Sequence, residues 1–393
     1  MRVHHVITRL IVGGAQENTI ASVLGLRKHP DLDVRLLAGP TEGAEGSLES
    51  ALAPAPDCLV RIPTLIRAIR PLQDLRALRD LTRYFQFQRP DLVHTHSGKA
   101  GLLGRWAADR ARVPLIIHGI HGPSFGPFQG SLANFAFRRA EQFAGRRTHH
   151  FVVVADAMRR QYLAAGIGRS DQYSLIYSGF DLAPYLSTGR DPLLAQKLGL
   201  QSDDFVVGLI ARLFALKGHD DLIDAATEIV RRIPKARFLW VGDGPWRDRL
   251  EERIRATGLQ KRFVLAGLVP PGDVPAHVGL MDCLVHLSRR EGLPRALPQA
   301  LAAGKPVVAY DCDGAGEVCR TDETGFLIPP GRLDALTSAL WSLAVHPSLR
   351  HRLGETGRAW VRERFSIEQL VEGQYRLYRH LQEARGGAPS PRP

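Results

Sequence analysis

The sequence predicts an α/β protein made of two domains, each with a parallel β-sheet. Apolar runs of strand length alternate with helical patterns along nearly the whole chain, which is typical of parallel sheets. The 393 residues are enough for two separate hydrophobic cores. The alternation begins anew at Phe205, after a stretch, Pro184–Gln201, that has the composition of a linker. We therefore expect a first domain over residues 1–186 and a second over 201–364, with a last helix at 365–385 that packs back on the first.

The first domain begins with a strand, a glycine turn and a helix. We predict the strand over Arg2–Leu10, the turn at Gly13 and Gly14, and the helix over Ala15–Lys28. Glycines in such a turn let a phosphate or a sugar approach the backbone, although a turn without a ligand explains them equally well. The full GxGxxG fingerprint is absent, so the turn does not indicate NAD binding. The other strands predicted here are Val34–Ala38, Leu92–His94, Leu115–Ile117, Phe151–Val154 and Leu175–Tyr177.

The region from residue 61 to residue 112 is strongly basic. It contains eleven Lys or Arg against four Asp, a local charge of +7 in a chain whose formal net charge is +12. Within it, Leu65–Gln88 predicts a helix with leucines on one face and arginines between them. Such a helix binds an anionic bilayer or packs on its own sheet, and we favour packing. A basic surface also suits nucleic acid, but no nucleic-acid motif accompanies it, so we expect no such partner.

Four histidines follow or end two neighbouring strands of the first domain: His94, His96, His118 and His121. They lack the HExxH spacing and a nearby carboxylate, so we predict supporting or core roles and no metal. The uncharged run Val113–Phe137 has the length of a membrane span. It contains three prolines and four glycines, however, which favours a strand followed by an active-site loop.

The cysteines and the start of the chain indicate a cytoplasmic protein. Cys58, Cys283, Cys312 and Cys319 show no CxxC or zinc spacing, so we interpret them as small hydrophobic residues in a reducing compartment. The chain runs from Met1 directly into a strand, and we expect no signal peptide.

The second domain repeats the strand–loop–helix pattern. Its predicted strands, of which we expect the fifth to be the last in the chain, are Phe205–Ala211, Phe238–Val241, Phe263–Gly267, Cys283–Leu287 and Pro306–Tyr310. Lys217 and Gly218 precede a helix, and a final helix is predicted over Phe365–Ala384.

The loop after the Cys283–Leu287 strand is the strongest candidate site. We predict that Glu291 lies where this strand ends and a helix begins, since apolar residues recur at helical spacing from Leu293 onwards. Open parallel sheets bind ligands at such ends, and the first N–H groups of a helix suit a phosphate.

Arg212 and Lys217 leave the first strand of the same domain, and with the Glu291 loop they predict a diphosphate site that needs no metal. Asp311-Cys312-Asp313 imitates a DxD metal motif, but a site with two cations already has its counter-charge.

These features together resemble the retaining glycosyltransferases of family 4, also called glycosyl transferases group 1, along the whole chain. No single segment decides the resemblance, but their order across two α/β halves is specific. The matching segments are Gly13–Gln16, His94–Gly101, His121-Gly122, Ser178–Asp181, Arg212…Lys217-Gly218, Gly242–Pro245, Ser288…Glu291-Gly292…Gln299 and Gly314…Glu317. The resemblance implies the GT-B fold, in which two Rossmann-like, doubly wound domains face each other across a cleft.

The resemblance also implies a role for each site residue. Glu291 matches the first Glu of a Glu-x7-Glu motif and would contact the donor sugar, while Gln299 stands where the second Glu holds the ribose. Arg212 and Lys217 would bind the donor diphosphate, and His121 would face the transferred sugar. The remaining implied contacts are the donor loop at Gly13 and Gly14, the phosphate-facing backbone of Gly292, Leu293 and Pro294, and the acceptor-side residues His96 and Lys99.

The implied activity is transfer of a hexose, with retention, from a nucleotide-sugar substrate, most directly a UDP-sugar, to a hydroxyl of a glycan or lipid-linked acceptor. It requires no cofactor or metal, and it fits polysaccharide or glycolipid synthesis in the cytoplasm or at the inner face of an anionic membrane. Gln299 replaces a charged acceptor with an amide, which leaves a non-catalytic nucleotide-sugar-binding protein as an alternative. A sugar-nucleotide epimerase of the same fold is a further alternative.

Overall fold

A computed structural model describes residues 1–41, 46–126 and 128–386 of the chain. The chain divides into two compact units. The first unit comprises residues 1–180 and the C-terminal segment from residue 367, and the second comprises residues 181–366.

The strands in chain order are β1 Arg2–Ile7, β2 Asp33–Ala38, β3 Leu59–Arg61, β4 Leu92–His96, β5 Leu115–Ile120, β6 His150–Val153, β7 Tyr173–Leu175, β8 Phe205–Ile210, β9 Ala236–Val241, β10 Phe263–Gly267, β11 Cys283–His286, β12 Val307–Tyr310 and β13 Gly325–Ile328.

The α-helices in chain order are α1 Gly14–Leu26, α2 Pro71–Gln88, α3 Gly98–Arg110, α4 Ser131–Gly145, α5 Asp156–Ala164, α6 Ala183–Leu186, α7 Pro192–Lys197, α8 His219–Arg232, α9 Arg247–Ala256, α10 Val274–Gly279, α11 Ala296–Ala302, α12 Leu333–Val345, α13 Pro347–Arg364 and α14 Ile367–Gly386.

The first unit is a seven-stranded parallel sheet in the order β3-β2-β1-β4-β5-β6-β7. Its central strands are buried on both faces, as expected of a parallel sheet covered by helices. Side chains alternate between the two faces along each strand. Val3 and Ile7 of β1 join a core that includes Val371 and Tyr378 of α14, while Val6 points to the opposite core beneath α2 and α3.

The second unit is a six-stranded parallel sheet in the order β10-β9-β8-β11-β12-β13. Its main core, which contains Trp240 and Val285, is formed with residues of α8, α9 and α12. On its other side α11 packs against α13. Strand β8 therefore lies at the centre of the sheet, next to β11, and both strands end at the same edge.

The prediction of two parallel Rossmann-like sheets is confirmed, with four local differences. Strands β3 and β13 were not predicted, and Pro306–Tyr310 is not the last strand. The helix predicted from Leu65 begins at Pro71, a residue that favours the first helical position. The stretch predicted as a linker contains α6 and α7, and it belongs to the second unit from Asp181 onwards. The predicted active-site loop after β5 ends at α4.

Burial of the cysteines agrees with their interpretation as small hydrophobic residues. All four are free thiols, three are buried and Cys312 is half-buried.

Candidate active site

Lys217 is brought to the end of β11 by a close backbone approach. Its neighbour Gly218 has a φ of 77° and caps α8. A Cβ at Gly218 would lie 2.2 Å from the carbonyl oxygen of Leu287, so a larger residue cannot occupy this position without moving the backbone. The amide of Arg289 also donates to the carbonyl of Leu216, at 2.8 Å. The loops after β8 and β11 are thus joined to each other.

Lys217 and Glu291 form the central ion pair of this site. Lys217 Nζ donates to Glu291 Oε1 at 2.6 Å, and the two side chains are 28% and 16% exposed. His286 Nε2 lies 3.2 Å from the same carboxylate oxygen. Burial opposes ionisation of Glu291, but the nearby imidazole and the Lys217 ammonium outweigh it and hold the pKa of this carboxyl well below its usual range. Glu291 is therefore a carboxylate, and the pair remains accessible to a small ligand.

The loop of Glu291 is fixed by bonds at both of its ends. The hydroxyl of Ser288 donates to the carbonyl of Leu216 at 3.1 Å. The amide of Glu291 donates to Asp313 Oδ2 at 2.7 Å, and the amide of Gly314 donates to the carbonyl of Gly292 at 3.0 Å. Burial raises the pKa of Asp313. Asp313 thus serves this loop as a hydrogen-bond acceptor.

The prediction that a helix begins directly after Glu291 is wrong. Helix α11 begins at Ala296 and has seven residues, so a loop separates it from Glu291. Leu293 precedes Pro294, and a residue before proline is disfavoured in the helical conformation. The periodicity that suggested an earlier start reflects burial, because Leu293 is 7% exposed although it lies outside the helix.

The other predicted donor residues lie nearby along the chain. Gly292 and Pro294 are buried with Leu293 in the loop, and Gln299 is half-buried on α11. Arg212 is exposed just after β8, and its guanidinium lies 5.2 Å from the centre of the Phe214 ring. The structure therefore brings Lys217 and Glu291 into contact, and it places Arg212 on the loop that carries Lys217.

Sequence reasoning missed His286 and gave Asp313 no role. His286 is the last residue of β11, where a polar residue at the end of a buried apolar run is the available signal. Asp313 lies in the segment that we had interpreted only as a false DxD motif.

The first unit holds the remaining predicted residues. Gly13 is the N-cap of α1 and Gly14 its first residue, at the end of the loop that follows β1. His121 follows β5 directly. Lys99 pairs with Asp74.

His96 is 1% exposed, and its Nδ1 lies 2.9 Å from Nε2 of His121. His96 thus lies behind His121 and not at the surface, and its acceptor-side role stays a prediction.

Three buried imidazoles of the first unit also form a group with metal-binding potential. His5, His94 and His96 each offer a ring nitrogen, and these atoms lie within 4.8 Å of one another. The sequence did not show this group, because His5 lies on β1 and the other two on β4. The same rings are hydrogen-bonded in series, since His5 Nδ1 lies 2.9 Å from His96 Nε2.

Comparison with known proteins places this site in a family. Residues 191–360 match the model of glycosyl transferases group 1, and residues 13–179 match that of a glycosyl transferase 4-like domain. The chain is 30% identical over 285 residues to UDP-Gal:alpha-D-GlcNAc-diphosphoundecaprenol alpha-1,3-galactosyltransferase of Escherichia coli, covering 71% of this chain and 73% of the relative. The chain belongs to the group 1 glycosyltransferases.

Other relatives and solved structures agree with this membership. The putative glycosyltransferase EpsD of Bacillus subtilis is 28% identical over 313 residues, with 78% of this chain and 81% of the relative covered. The crystal structure of HepE from Anabaena in complex with UDP and glucose has a TM-score of 0.81 at 24% identity, covering 97% of this chain and all of that chain. This likeness shows the fold, and the GT-B glycosyltransferase architecture of two Rossmann-like domains is confirmed.

Membership carries a glycosyltransferase activity, and it explains why the charged groups lie at the carboxyl edge of a parallel sheet. Within residues 1–41, 46–126 and 128–386, no helix combines the length and the apolar character needed to cross a bilayer.

Proposed function

We propose that this glycosyltransferase transfers a hexose from a UDP-sugar to a hydroxyl of a glycan or lipid-linked acceptor, with retention and without a metal. The observation that carries the proposal is the Lys217–Glu291 pair, with its 2.6 Å contact at the ends of β8 and β11. The pair offers one cation for a diphosphate and one carboxylate for sugar hydroxyls. The E. coli relative supports the donor and acceptor classes, because its name specifies UDP-Gal and a diphosphoundecaprenol-linked sugar.

The charges of this pair suit a reaction in which the diphosphate leaves. The bond between the anomeric carbon and the phosphate oxygen breaks, the acceptor oxygen forms the new bond on the same face, and the acceptor proton passes to the leaving oxygen. Negative charge then grows on the diphosphate, where the Lys217 ammonium stabilises it. Arg212 supplies a second cation from the same loop, so no metal is required.

Glu291 does not serve as the proton donor in this scheme. Its depressed pKa keeps it ionised at neutral pH, and a carboxylate only accepts hydrogen bonds. Its roles are to orient Lys217 and to accept bonds from the hydroxyls of the donor sugar. Gln299 accepts from the ribose through a single amide oxygen.

A thermal-shift screen of nucleotide diphosphates and nucleotide sugars tests the donor. A ligand at about 100 times its Kd stabilises the folded state by about 2.7 kcal/mol, and we expect UDP and a UDP-sugar to give the largest shifts. Product NMR then reports the configuration at the anomeric carbon, and the assay is repeated in EDTA. A larger shift with GDP or ADP, an inverted product, or loss of activity in EDTA would each contradict the corresponding part of the proposal.

The acceptor side also has a surface suited to an anionic membrane. Helix α4 packs its Glu141 and Ala144 face against its own unit, and its opposite face exposes Leu132, Phe135 and Phe143, at 80%, 48% and 39%. The sequence left this role open for the helix that is α2, but it favoured packing on the sheet. On α2, Leu78, Leu81 and Phe85 are buried, while Leu72 and Leu75 in its first turns are exposed.

Cations accompany the apolar face of α4. Arg139 lies over the Phe135 ring and Arg147 over the Phe143 ring, at 5.1 Å and 4.0 Å from the ring centres. Aromatic and leucine side chains next to arginine are typical of helices that lie in the headgroup region. An anionic bilayer that carries a lipid-linked acceptor is the occupant that we propose.

Vesicle flotation tests the membrane surface. We expect binding to phosphatidylglycerol vesicles, weak binding to phosphatidylcholine vesicles, and loss of binding in Phe135→Asp. Leu193→Asp changes a leucine that is 75% exposed in the second unit, and it serves as the matched control. Equal binding to both vesicle types would reject the membrane proposal and leave the donor proposal intact.

A further inference from the structure

The strand register of the first unit places a series of polar rings on one face of its sheet. His5 of β1 pairs in register with His94 of β4, and His96 pairs with Gly119 of β5. Because side chains alternate along a strand, His94 and His96 share a face, and His121 continues the same face beyond Gly119. Helix α14 adds Tyr378 to this series, with its hydroxyl 2.6 Å from His94 Nδ1.

These rings are connected by hydrogen bonds from α14 to His121. Tyr378 Oη lies 3.5 Å from His5 Nε2. His5 Nδ1 lies 2.9 Å from His96 Nε2, and His96 Nδ1 lies 2.9 Å from His121 Nε2. His5 and His96 therefore use both of their ring nitrogens within the series.

The imidazoles in the series are neutral at physiological pH. Burial lowers the pKa of His5 to about 3 and that of His121 to about 4, and it lowers the pKa of His94 and His96 well below the usual value. A neutral imidazole has one donor and one acceptor nitrogen. Each ring must therefore donate in the same direction along the series, so its tautomers are set together.

The hydroxyl of Tyr378 decides that direction. A phenol O–H is a stronger acid than a neutral imidazole N–H, so at 2.6 Å the hydroxyl donates to His94 Nδ1. Its oxygen then accepts from His5 Nε2–H. His5 Nδ1 accepts from His96 Nε2–H, and His96 Nδ1 accepts from His121 Nε2–H.

We infer that Tyr378, His5 and His96 are positioning residues that hold His121 in its Nε2–H tautomer, with Nδ1 as a hydrogen-bond acceptor for a hydroxyl of the donor sugar. We call this series of hydrogen bonds the histidine relay. The tautomer of His121 follows from the relay alone, whereas the contact with the sugar rests on the proposed function. Gln374 Oε1 is another acceptor near the Tyr378 hydroxyl. It lies 3.4 Å away, so it competes weakly with His94 Nδ1 at 2.6 Å.

Two variants interrupt the relay at opposite ends. Tyr378→Phe removes the hydroxyl and keeps the ring. Gly119→Ala would place a Cβ 2.8 Å from His96 Nδ1 and 3.2 Å from His121 Nε2, which forces these rings apart. The matched controls are Tyr173→Phe, which loses a buried bond of 2.7 Å to the carbonyl of Ile167, and Gly130→Ala, where a Cβ meets nothing within 4 Å.

The readout is the two-bond ¹H–¹⁵N spectrum of the full chain labelled with ¹⁵N-histidine, with His121 assigned by a His121→Gln variant. In the wild type we expect the pattern of a protonated Nε2 and a bare Nδ1. In Tyr378→Phe and Gly119→Ala we expect a mixture of tautomers, and both controls should keep the wild-type pattern. Thermal melting of each variant checks that it is folded.

Activity measurements separate this inference from the proposed function. Loss of a single orienting bond should lower kcat by about three- to tenfold in Tyr378→Phe, with a smaller change in KM. A tautomer shift without a change in kcat supports the relay and rejects the role of His121 in transfer. An unchanged His121 spectrum in both variants overturns the relay, as does tightly bound zinc whose ligands are His5, His94 and His96.

Discussion

The two units treat their polar groups in opposite ways. In the first unit, Arg105 and Glu141 form a sealed ion pair with side chains 0% and 5% exposed, and His5, His94, His96 and Tyr378 are buried as well. In the second unit, Lys217 and Glu291 form a pair of similar length with side chains 28% and 16% exposed. The sealed groups have partners only within the fold, whereas the accessible pair can exchange its partners for those of a ligand. Burial therefore distinguishes the polar groups whose partners lie within the fold from those that can bind a ligand directly.

Lowering the pH should destabilise the first unit more than the second, and this is the largest effect that we expect. Among the residues that the structure describes, burial lowers the pKa of eight imidazoles in the first unit and of one, His219, in the second. The eight are His4, His5, His94, His96, His118, His121, His149 and His150. Above the unfolded pKa of about 6.5 these rings are neutral in both states. Below it the unfolded chain takes up protons that the folded chain does not, so each ring reduces stability by up to about 1.4 kcal/mol per pH unit.

Hydrogen exchange measured at about pH 7.5 and about pH 5.5, corrected for intrinsic rates, checks this sign. We expect residues 1–180 to lose protection before residues 181–366. Glu291 contributes only at lower pH, because stability from its depressed pKa is lost as pH falls below the usual value of 4.5. His4→Phe removes one titrating ring that lies against Tyr84 and Phe85, so it should flatten the pH dependence by one proton. Earlier opening of the second unit would contradict the comparison.

Breaking the sealed pair should cost stability and little else. Glu141→Ala leaves the buried Arg105 guanidinium without its 2.8 Å carboxylate contact, and we expect a loss of about 3–5 kcal/mol in urea denaturation. Asp109→Ala breaks the partly exposed pair with Arg147 and should cost at most about 1 kcal/mol. The double variant Arg105→Met/Glu141→Leu should recover much of the loss. A loss as small as that of Asp109→Ala would show that the sealed pair is not structural.

Breaking the accessible pair should reduce activity and donor binding and change stability little. Lys217→Ala removes the cation at the leaving diphosphate, so we expect kcat/KM to fall by about 10²–10³ and the UDP thermal shift to disappear. The melting temperature without ligand should change far less than in Glu141→Ala. Lys235→Ala removes an exposed lysine that pairs with Asp203 in the same unit, and it should behave as wild type. Retention of the UDP shift in Lys217→Ala would remove Lys217 from the donor site.

The features that could be predicted from the sequence are those that depend on the local pattern of residues. Both sheets were predictable because their central strands are continuous apolar runs, which signal burial on both faces. The two strands that were missed, Leu59–Arg61 and Gly325–Ile328, are short and lie at sheet edges, where fewer residues carry the pattern. The position of Lys217 and Gly218 in front of a helix was predicted correctly, because a glycine between a strand and a helix is itself a local signal.

Contacts that depend on register between distant segments were not predictable. The pairing of Lys217 with Glu291 joins residues 74 positions apart, and that of His94 with Tyr378 joins residues 284 apart. The premature helix start had another cause, because tertiary packing buries Leu293 in a loop and so produces a helical period without a helix. The sequence thus identified the accessible pair's residues through motif and position. It also predicted supporting or core roles for His94, His96 and His121, but not the hydrogen bonds that link them to His5 and Tyr378.

The smallest expected effect concerns Gln299, the position where this chain departs from the Glu-x7-Glu pattern. Gln299→Glu restores a charged acceptor on half-buried α11, and a charged acceptor strengthens a ribose hydrogen bond by about 1 kcal/mol. We expect KM for the UDP-sugar to fall by several-fold while kcat stays the same, because the ribose does not react. Gln260→Glu, at an exposed position of the same unit, is the charge-matched control. If the wild type has no transfer activity and Gln299→Glu has it, the accessible pair of the wild type serves binding without transfer. That outcome would support the alternative of a non-catalytic nucleotide-sugar-binding protein.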